Sequence, residues 1–253
     1  MKNVKKGIGY WALYLAIPVL LVIIWELADL KGMIKPYTMP SPKGIITVII
    51  EYLKNGMLIE SFWVSFVRVL EGFLLALIAA FLLGMGASLF PKVETATDFV
   101  IQILRPIPPI AWIPLAILWF GIGEISKIYI IFLGSFFPIF VNILDGVKSI
   151  DAKYYELAEV YETPKIKIIQ RIIVPGAMPA IMTGFRLGLG NAWVCVVAAE
   201  MIGATKGVGY MLSNGRSLSR PEIVVLGMLI VGIVGKLMDD FLRYIRRKVI
   251  TWM

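Results

Sequence analysis

The sequence predicts an all-α, polytopic membrane protein with six transmembrane helices. Hydrophobic residues make up 59% of the 253 residues and the mean hydropathy is +0.84, whereas soluble domains are about 45–50% apolar. Charged residues are clustered between long uncharged runs, so most segments could not form the outer face of a soluble protein. Segments this apolar must satisfy their backbone hydrogen bonds internally, which favours helices.

The remaining composition excludes several classes of site. The formal charge of +8 is typical of Lys and Arg that flank membrane helices, and we expect no nucleic-acid partner. Histidine is absent, which excludes His-based catalysis, metal ligation and pH switching. Cys195 is the only cysteine, so an intrachain disulfide and a Cys-based metal site are excluded. We expect Cys195 to be a small buried apolar residue.

Six segments are apolar enough, over about 20 residues, to cross a bilayer as helices. The first is uncharged and no small-residue cleavage site follows it, so we expect a retained helix rather than a signal peptide. The third is interrupted by prolines after Arg105, which must break its hydrogen-bond ladder. In the fifth, Gly184, Gly188 and Gly190 favour tight packing against a neighbouring helix, although a dimer seam or a pore wall would use the same residues. The predicted spans are 7–25, 63–90, 96–120, 128–144, 178–199 and 223–242.

Six spans place both termini on one side of the membrane. Lys and Arg are more frequent in the segments on that side, and such residues are enriched in cytoplasmic segments. We therefore expect both termini and the segment 146–174 to lie in the cytoplasm. On the other side, Ser41-Pro42 is a helix-start signal, and the apolar residues after it predict a short interfacial helix over 41–55.

The segment 151–174 is the longest polar interval on the predicted inner side. Asp151 can cap a helix that runs to Tyr161, because tyrosine and alanine recur there at helical spacing. Thr163 is then predicted to cap a second helix, over 165–172, with Pro164 at its first position. Two short helices in a right-angled elbow would form a rigid knob that can transmit rigid-body motion.

This segment resembles the signature of the permease subunits of bacterial ABC importers, E-A-A-x3-G-x9-I-x-L-P. Glu156-Leu157-Ala158, Ile172 and Val174-Pro175 occupy the matching places without a gap. Glu162 stands where the signature has glycine, which would suit a turn with positive φ. We therefore expect Glu162 to adopt another backbone geometry.

The resemblance covers most of residues 60–245 and implies the type I ABC importer permease fold. Within that family the chain is similar to the nitrate, sulfonate, taurine and bicarbonate branch, and most of all to aliphatic sulfonate permeases. The likeness rests on RPIPPIAWIPL at 105–115, WFGIG at 119–123, FFPIF at 136–140, residues 179–190, and AEM at 199–201.

The resemblance also implies partners. Residues 1–253 would form one permease domain in the bacterial inner membrane, and two copies would pair. Two ATPase subunits carrying ATP and Mg²⁺ would dock beneath them, and an external binding protein would deliver the solute. The chain has no G-x-x-x-x-G-K-[ST] phosphate loop, so we expect no enzyme activity and no bound cofactor. The implied ATPase contacts are Tyr155, Glu156, Leu157, Ala158, Glu159, Tyr161, Glu162, Thr163 and Pro164.

Ionisable residues inside a membrane are costly and are therefore functional candidates. Arg186 either pairs with an acid or helix-end carbonyls near the inner side, or attracts an anion. Glu200 lies about 21 Å further along the same helix, too far to pair with Arg186, and would brace the outer loop. The break after Arg105 either kinks the helix for packing or lines a cavity. The candidates for the translocation path are Arg105, Pro108, Pro109, Trp112, Arg186 and Glu200, and no catalytic or metal site is expected.

Two other functional classes stay open. A self-contained secondary transporter would need homologous halves or coupling carboxylates in mid-span; Glu71 is the nearest candidate, and no internal repeat is visible. A membrane enzyme would need a metal motif or a nucleophile–base pair, and none occurs in the sequence. The transported solute is also open, because sulfonates, taurine, nitrate, bicarbonate and a vitamin or thiamine-pyrimidine-like precursor all fit an importer of this type.

Overall fold

A computed structural model describes residues 8–33 and 39–251, and within them the regular structure is helical throughout. The all-α prediction is confirmed. A 3-10 turn, Pro109–Trp112, precedes the fifth helix, and a π-helical segment, Ile169–Ile173, precedes the ninth. The helices are α1 (Ile8–Leu30), α2 (Pro42–Lys54), α3 (Met57–Leu89), α4 (Pro91–Leu104), α5 (Ile113–Phe120), α6 (Glu124–Lys148), α7 (Ala152–Val160), α8 (Lys165–Ile168), α9 (Val174–Gly203), α10 (Val208–Ser217) and α11 (Pro221–Val249).

Among the described residues, four helical stretches are long and apolar enough to cross a membrane: α3, α6, the continuous stretch Lys165–Gly203, and α11. A fifth candidate, α4 with Pro109–Phe120, passes the same test only when its two parts are taken together. The pair is bent by 88° at the predicted break and is thus either a broken span or a re-entrant loop. These five correspond to the predicted second to sixth spans. The predicted first span lies in α1 apart from Gly7, which is outside the described residues, and α1 is not in this count. Six spans therefore remain a prediction.

The chain divides into two compact units, and the first contains α1, α2 and Met211–Leu229. The helix predicted over 41–55 is present as α2, and its interfacial position stays a prediction. Its first turn is capped as predicted, because the Ser41 hydroxyl accepts a hydrogen bond from the Gly44 amide at 3.0 Å. In the same unit, Arg220 binds Glu51 at 3.2 Å.

The second unit contains Glu60–Tyr210 and the rest of α11, and its core is the packing of α6 against α9. Gly184 and Gly188 face α6: a Cβ atom on Gly188 would lie 2.8 Å from Cγ1 of Ile139. The Ser135 hydroxyl donates to the Gly188 carbonyl at 3.1 Å. Gly190 has open space beside its Cα, so the close approach predicted there is wrong. Small residues at two positions thus bring these helices together.

The two loop helices begin differently. The Asp151 carboxylate accepts a hydrogen bond from the Lys153 amide at 3.0 Å and caps α7, as predicted. In α8, Pro164 occupies the cap position with ψ 140°. Its carbonyl accepts the first helical bond, from the Lys167 amide at 2.8 Å. The predictions that Thr163 caps this helix and that Pro164 is its first residue are therefore wrong.

The second loop helix does not end before the fifth span. It continues from α8 through the π-helical segment into α9. Pro175 has no N–H to donate, so one backbone hydrogen bond is missing there. The wider π turn just before it accommodates the proline, and the helix continues. The second helix of the predicted knob and the fifth span are thus one continuous helical element, whereas α7 ends before it at Val160.

Candidate functional site

Glu162 has a positive φ of 46° at the end of α7. The Thr163 amide donates to the Ala158 carbonyl at 2.8 Å, and the Glu162 amide donates to the Glu159 carbonyl at 2.9 Å. These two bonds form a Schellman motif, in which the residue after the helix must be left-handed. The expectation that Glu162 would avoid this geometry is wrong: it takes the conformation that glycine would take, at a cost of about 1–2 kcal/mol.

The α7 segment presents apolar side chains outward. Leu157 is 55% exposed, Val160 78% and Tyr161 75%, whereas Ala158 is 4% exposed and anchors the helix. Tyr155 is half-buried, and this burial raises the pKa of its phenol. Clustered exposed apolar groups mark interaction sites. The predicted contact residues all lie between positions 155 and 164, and Val160, which is exposed among them, is not one of the predicted contacts. Their docking role stays a prediction.

The break in the bent pair borders two cavities. One, of about 610 Å³, lies between α4 and α6, and the other, of about 300 Å³, is lined by Pro109, Asn142 and Asn191 among others. The Arg105 side chain lines both cavities. It is exposed and has no hydrogen bond or ion pair within the described part of the chain. The larger cavity is also lined by Glu94, Asp98, Asp145 and Lys148, whereas the other lining residues of the smaller cavity are uncharged. Arg105 therefore offers an unpaired cation to an anion only on the side of the smaller cavity.

The other path candidates lie elsewhere. Arg186 forms a two-pronged ion pair with Asp239 of α11, which is the partner acid that the sequence left as one of its alternatives. Pro108, Trp112 and Glu200 line neither of the two cavities beside Arg105. The structure therefore does not gather the six candidates into one site.

Glu200 is the centre of a buried ionic cluster, here called the Glu200 cluster, and is 1% exposed. Its carboxylate accepts hydrogen bonds from the Ser65 hydroxyl at 2.8 Å, the Arg68 guanidinium at 2.8 Å and the Gly209 amide at 2.9 Å. The other edge of Arg68 binds Glu124 at 2.5 and 2.7 Å. The cluster joins α3, α6, α9 and α10. Both carboxylate oxygens of Glu200 already accept hydrogen bonds from within the protein.

Ser65, Arg68 and Glu124 are not among the residues predicted from the sequence. Arg68 carried a usable signal, because it is a charge inside the predicted second span. Glu124 lies between spans and Ser65 is an ordinary small residue in a helix, so neither position is marked by sequence. Gly207, with φ 121°, has no room for a side chain beside the Glu200 carboxylate.

Comparison with known proteins agrees with this architecture. The family of binding-protein-dependent transport system inner membrane components matches residues 72–251. A candidate ABC transporter permease protein of Methanocaldococcus jannaschii is 40% identical over 100% of this chain and 98% of its own length. A candidate aliphatic sulfonates transport permease protein of Bacillus subtilis is 37% identical, over 98% and 90%. The taurine transport system permease protein of Escherichia coli is 34% identical, over 92% and 86%.

Proposed function

The chain belongs to the family of binding-protein-dependent transport system inner membrane components, and from this premise we propose that it is the membrane subunit of an importer for small organic sulfonates, driven by a separate ATPase. The main support for this function is the exposed apolar surface of the α7 segment. This segment has exposed apolar side chains, and it ends in a Schellman turn at Glu162, where the family signature has glycine. A helix of this kind needs a protein partner to cover it.

The geometry of the loop supports a mechanical role for α7. The ATPase would hold the exposed residues of α7, and the Schellman turn would fix the angle at which the chain leaves that helix. The continuous stretch Lys165–Gly203 would carry the displacement into the membrane. In this mechanism two copies of the chain rotate between inward-open and outward-open states when ATP closes the ATPase pair. The α7 segment would then face the cytoplasm.

The solute class is supported by the charge of Arg105 and by the names of similar proteins. Relatives with names for aliphatic sulfonates or taurine are identical to this chain at more than a third of the aligned residues. Arg105 has no ion pair among the described residues and lines a cavity of about 300 Å³ whose other lining residues are uncharged. Guanidinium groups bind planar or tetrahedral oxyanions through paired hydrogen bonds. Arg105 would thus be a transient contact for the sulfonate group.

The test is reconstitution of the chain with its ATPase and binding protein in liposomes. We expect uptake of radiolabelled taurine that requires all three components and ATP inside the liposome. Uptake by the chain alone would contradict the proposal. Uptake of nitrate, bicarbonate or a thiamine-type pyrimidine in preference to taurine would refute the sulfonate assignment while leaving the ATP-driven mechanism in place.

A substitution isolates the docking step. Leu157→Asp places a charge on the exposed apolar surface of α7, so we expect the ATPase no longer to co-purify. Ile46→Asp is the matched control, because Ile46 is equally exposed, at 57%, on α2 at the predicted outer side. Retention of the ATPase by the Leu157 variant, or equal loss in both variants, would contradict docking at α7.

A further inference from the structure

Four arginine side chains converge on one cavity of about 420 Å³ at the end of α11. One of them comes from α9, so the cavity is formed by two helices. Its lining residues are Arg186, Arg243, Arg246, Arg247 and Ile250.

The charge in this cavity is poorly neutralised. Asp239 binds both Arg186 and, at 2.8 Å, Arg243. Arg246 and Arg247 are exposed and have no ion pair within the described residues. Asp240, which pairs with Lys236, also lies close enough to act on Arg186 and Arg243. The nearby carboxylates thus act on Arg186 and Arg243, and Arg246 and Arg247 keep an unpaired charge.

Membrane topology alone does not explain the arrangement. Basic residues in the last turn of α11 are expected from the helix dipole and from the enrichment of Lys and Arg at inner span ends. Neither effect requires Arg186, on another helix, to join them. A two-fold partner is also disfavoured as the occupant, because the same four arginines in each copy would repel one another.

An apolar groove begins where the arginines end. Arg186 and Asp239 also border a narrow cleft of about 30 Å³ between α9 and α11. The open side of Gly190 gives this cleft its depth. Its other lining residues are Leu189, Trp193, Gly235, Met238 and Leu242. A ligand that fits both parts has an anionic head and an apolar chain.

We propose that the arginine cavity and its adjoining cleft bind an anionic membrane phospholipid. The phosphate lies among Arg186, Arg243, Arg246 and Arg247, and the start of an acyl chain lies along the α9–α11 cleft. Basic pockets between membrane helices suit such headgroups, and guanidinium groups bind phosphate in a two-pronged manner. The assignment does not depend on which solute the protein transports.

The experiment measures lipid binding to the full-length chain in detergent by native mass spectrometry. Phosphatidylglycerol supplies head and chains, phosphatidylcholine supplies chains with no net charge, and glycerol 3-phosphate supplies the head alone. We expect phosphatidylglycerol to bind at least tenfold more tightly than either of the other probes. Equal binding of the two lipids, or binding of glycerol 3-phosphate as tight as that of phosphatidylglycerol, would overturn the proposal.

Matched double variants locate the site. Arg246→Gln with Arg247→Gln should weaken phosphatidylglycerol binding by about tenfold or more, since each basic residue near an anionic lipid contributes about 1 kcal/mol. The control, Lys248→Gln with Lys92→Gln, removes the same charge. Lys248 lies over the Tyr244 ring, at 4.8 Å, rather than in the cavity. A similar loss in both variants would overturn the assignment.

Arg246→Cys tests whether a second copy of the chain, rather than a lipid, covers this face. If a second copy covered this face, Arg246→Cys in a Cys195→Ala background would form a disulfide-linked dimer when isolated membranes are treated with copper phenanthroline, the oxidant that the cytoplasmic side does not supply. That outcome would replace the lipid with a protein partner. We expect the variant to remain monomeric on non-reducing gels.

Discussion

At the scale of single residues, Glu162 shows how a departure from a signature can keep the geometry of the signature. The hydrogen bonds that close α7 fix the backbone at this position, whatever its side chain. A glycine would adopt the same φ without a steric penalty. The glutamate therefore retains the turn and lowers its stability.

The first prediction follows from this strain. Glu162→Gly should stabilise the end of α7 by about 1 kcal/mol, because the left-handed penalty is removed. Glu159→Gly, inside the helix, should destabilise it by about 1 kcal/mol. Amide exchange at Thr163, which donates to Ala158, measures both changes. Faster exchange in the Glu162 variant would contradict the strain argument.

Arg105 gives the second prediction at this scale. Arg105→Gln should lower taurine uptake by about tenfold or more, because a charge-assisted hydrogen bond contributes about 1.5–3 kcal/mol. Arg105→Lys should recover part of the rate, since the charge returns without the two-pronged geometry. Basal ATPase activity of the assembled importer should not change. Unchanged uptake in the Gln variant would remove Arg105 from the path.

At the scale of elements, the packing of α6 on α9 depends on small residues at particular positions of one helix. Gly188 lies against Ile139, whereas Gly190, two residues later, faces open space. Two residues along a helix correspond to a rotation of about 200°, so the two glycines lie on opposite faces. The same residue type thus serves packing at one position and leaves a cleft at the other.

The third prediction compares these two glycines. Gly188→Ala should destabilise the protein by about 1–3 kcal/mol, because its Cβ would overlap Ile139 in a filled core. Gly190→Ala should be neutral or stabilise the protein by up to about 1 kcal/mol, since alanine favours helix and meets no neighbour. Unfolding in mixed micelles of increasing dodecyl sulfate fraction measures both. The reverse order would refute the α6–α9 packing.

At the scale of the whole molecule, the Glu200 cluster ties separate segments of the second unit together. Ser65 and Arg68 come from α3, Glu124 begins α6, and Glu200 lies near the end of α9. A buried charge is tolerated only when it is paired and fully hydrogen-bonded, and Glu200 meets this condition. The cluster thus makes the helix ends at this side of the unit depend on one another.

The fourth prediction tests that dependence. Glu200→Gln should lower the free energy of unfolding by about 1.5–3 kcal/mol, because the charge-assisted hydrogen bond from Arg68 is weakened while Glu124 still neutralises the guanidinium. Glu60→Gln is the control: it removes an exposed pair with Lys206, at 2.6 Å, which should contribute at most about 1 kcal/mol. The unfolding midpoint in mixed micelles measures both. An equal effect of the two substitutions would show that the cluster has no special weight.

Sequence patterns correctly predicted the helical class, the apolar stretches of the second to sixth spans, the break after Arg105, the cap at Asp151 and the family. Each of these follows from local rules: apolar length, proline chemistry, capping preference and motif spacing. Glu162 and Gly190 were predicted wrongly for the same reason, because a residue type states what a position permits and the neighbouring atoms decide what it does.

The tertiary structure was needed to learn which charged residues form pairs. Arg186 with Asp239, Arg68 with Glu124 and Glu200, and the four arginines around one cavity are all pairings between distant parts of the chain. Helical periodicity gives the face of a side chain but not the helix that will pack against that face. The helices and the family can therefore be predicted from local sequence patterns. The ionic partners and the cavities depend on how α6, α9 and α11 pack.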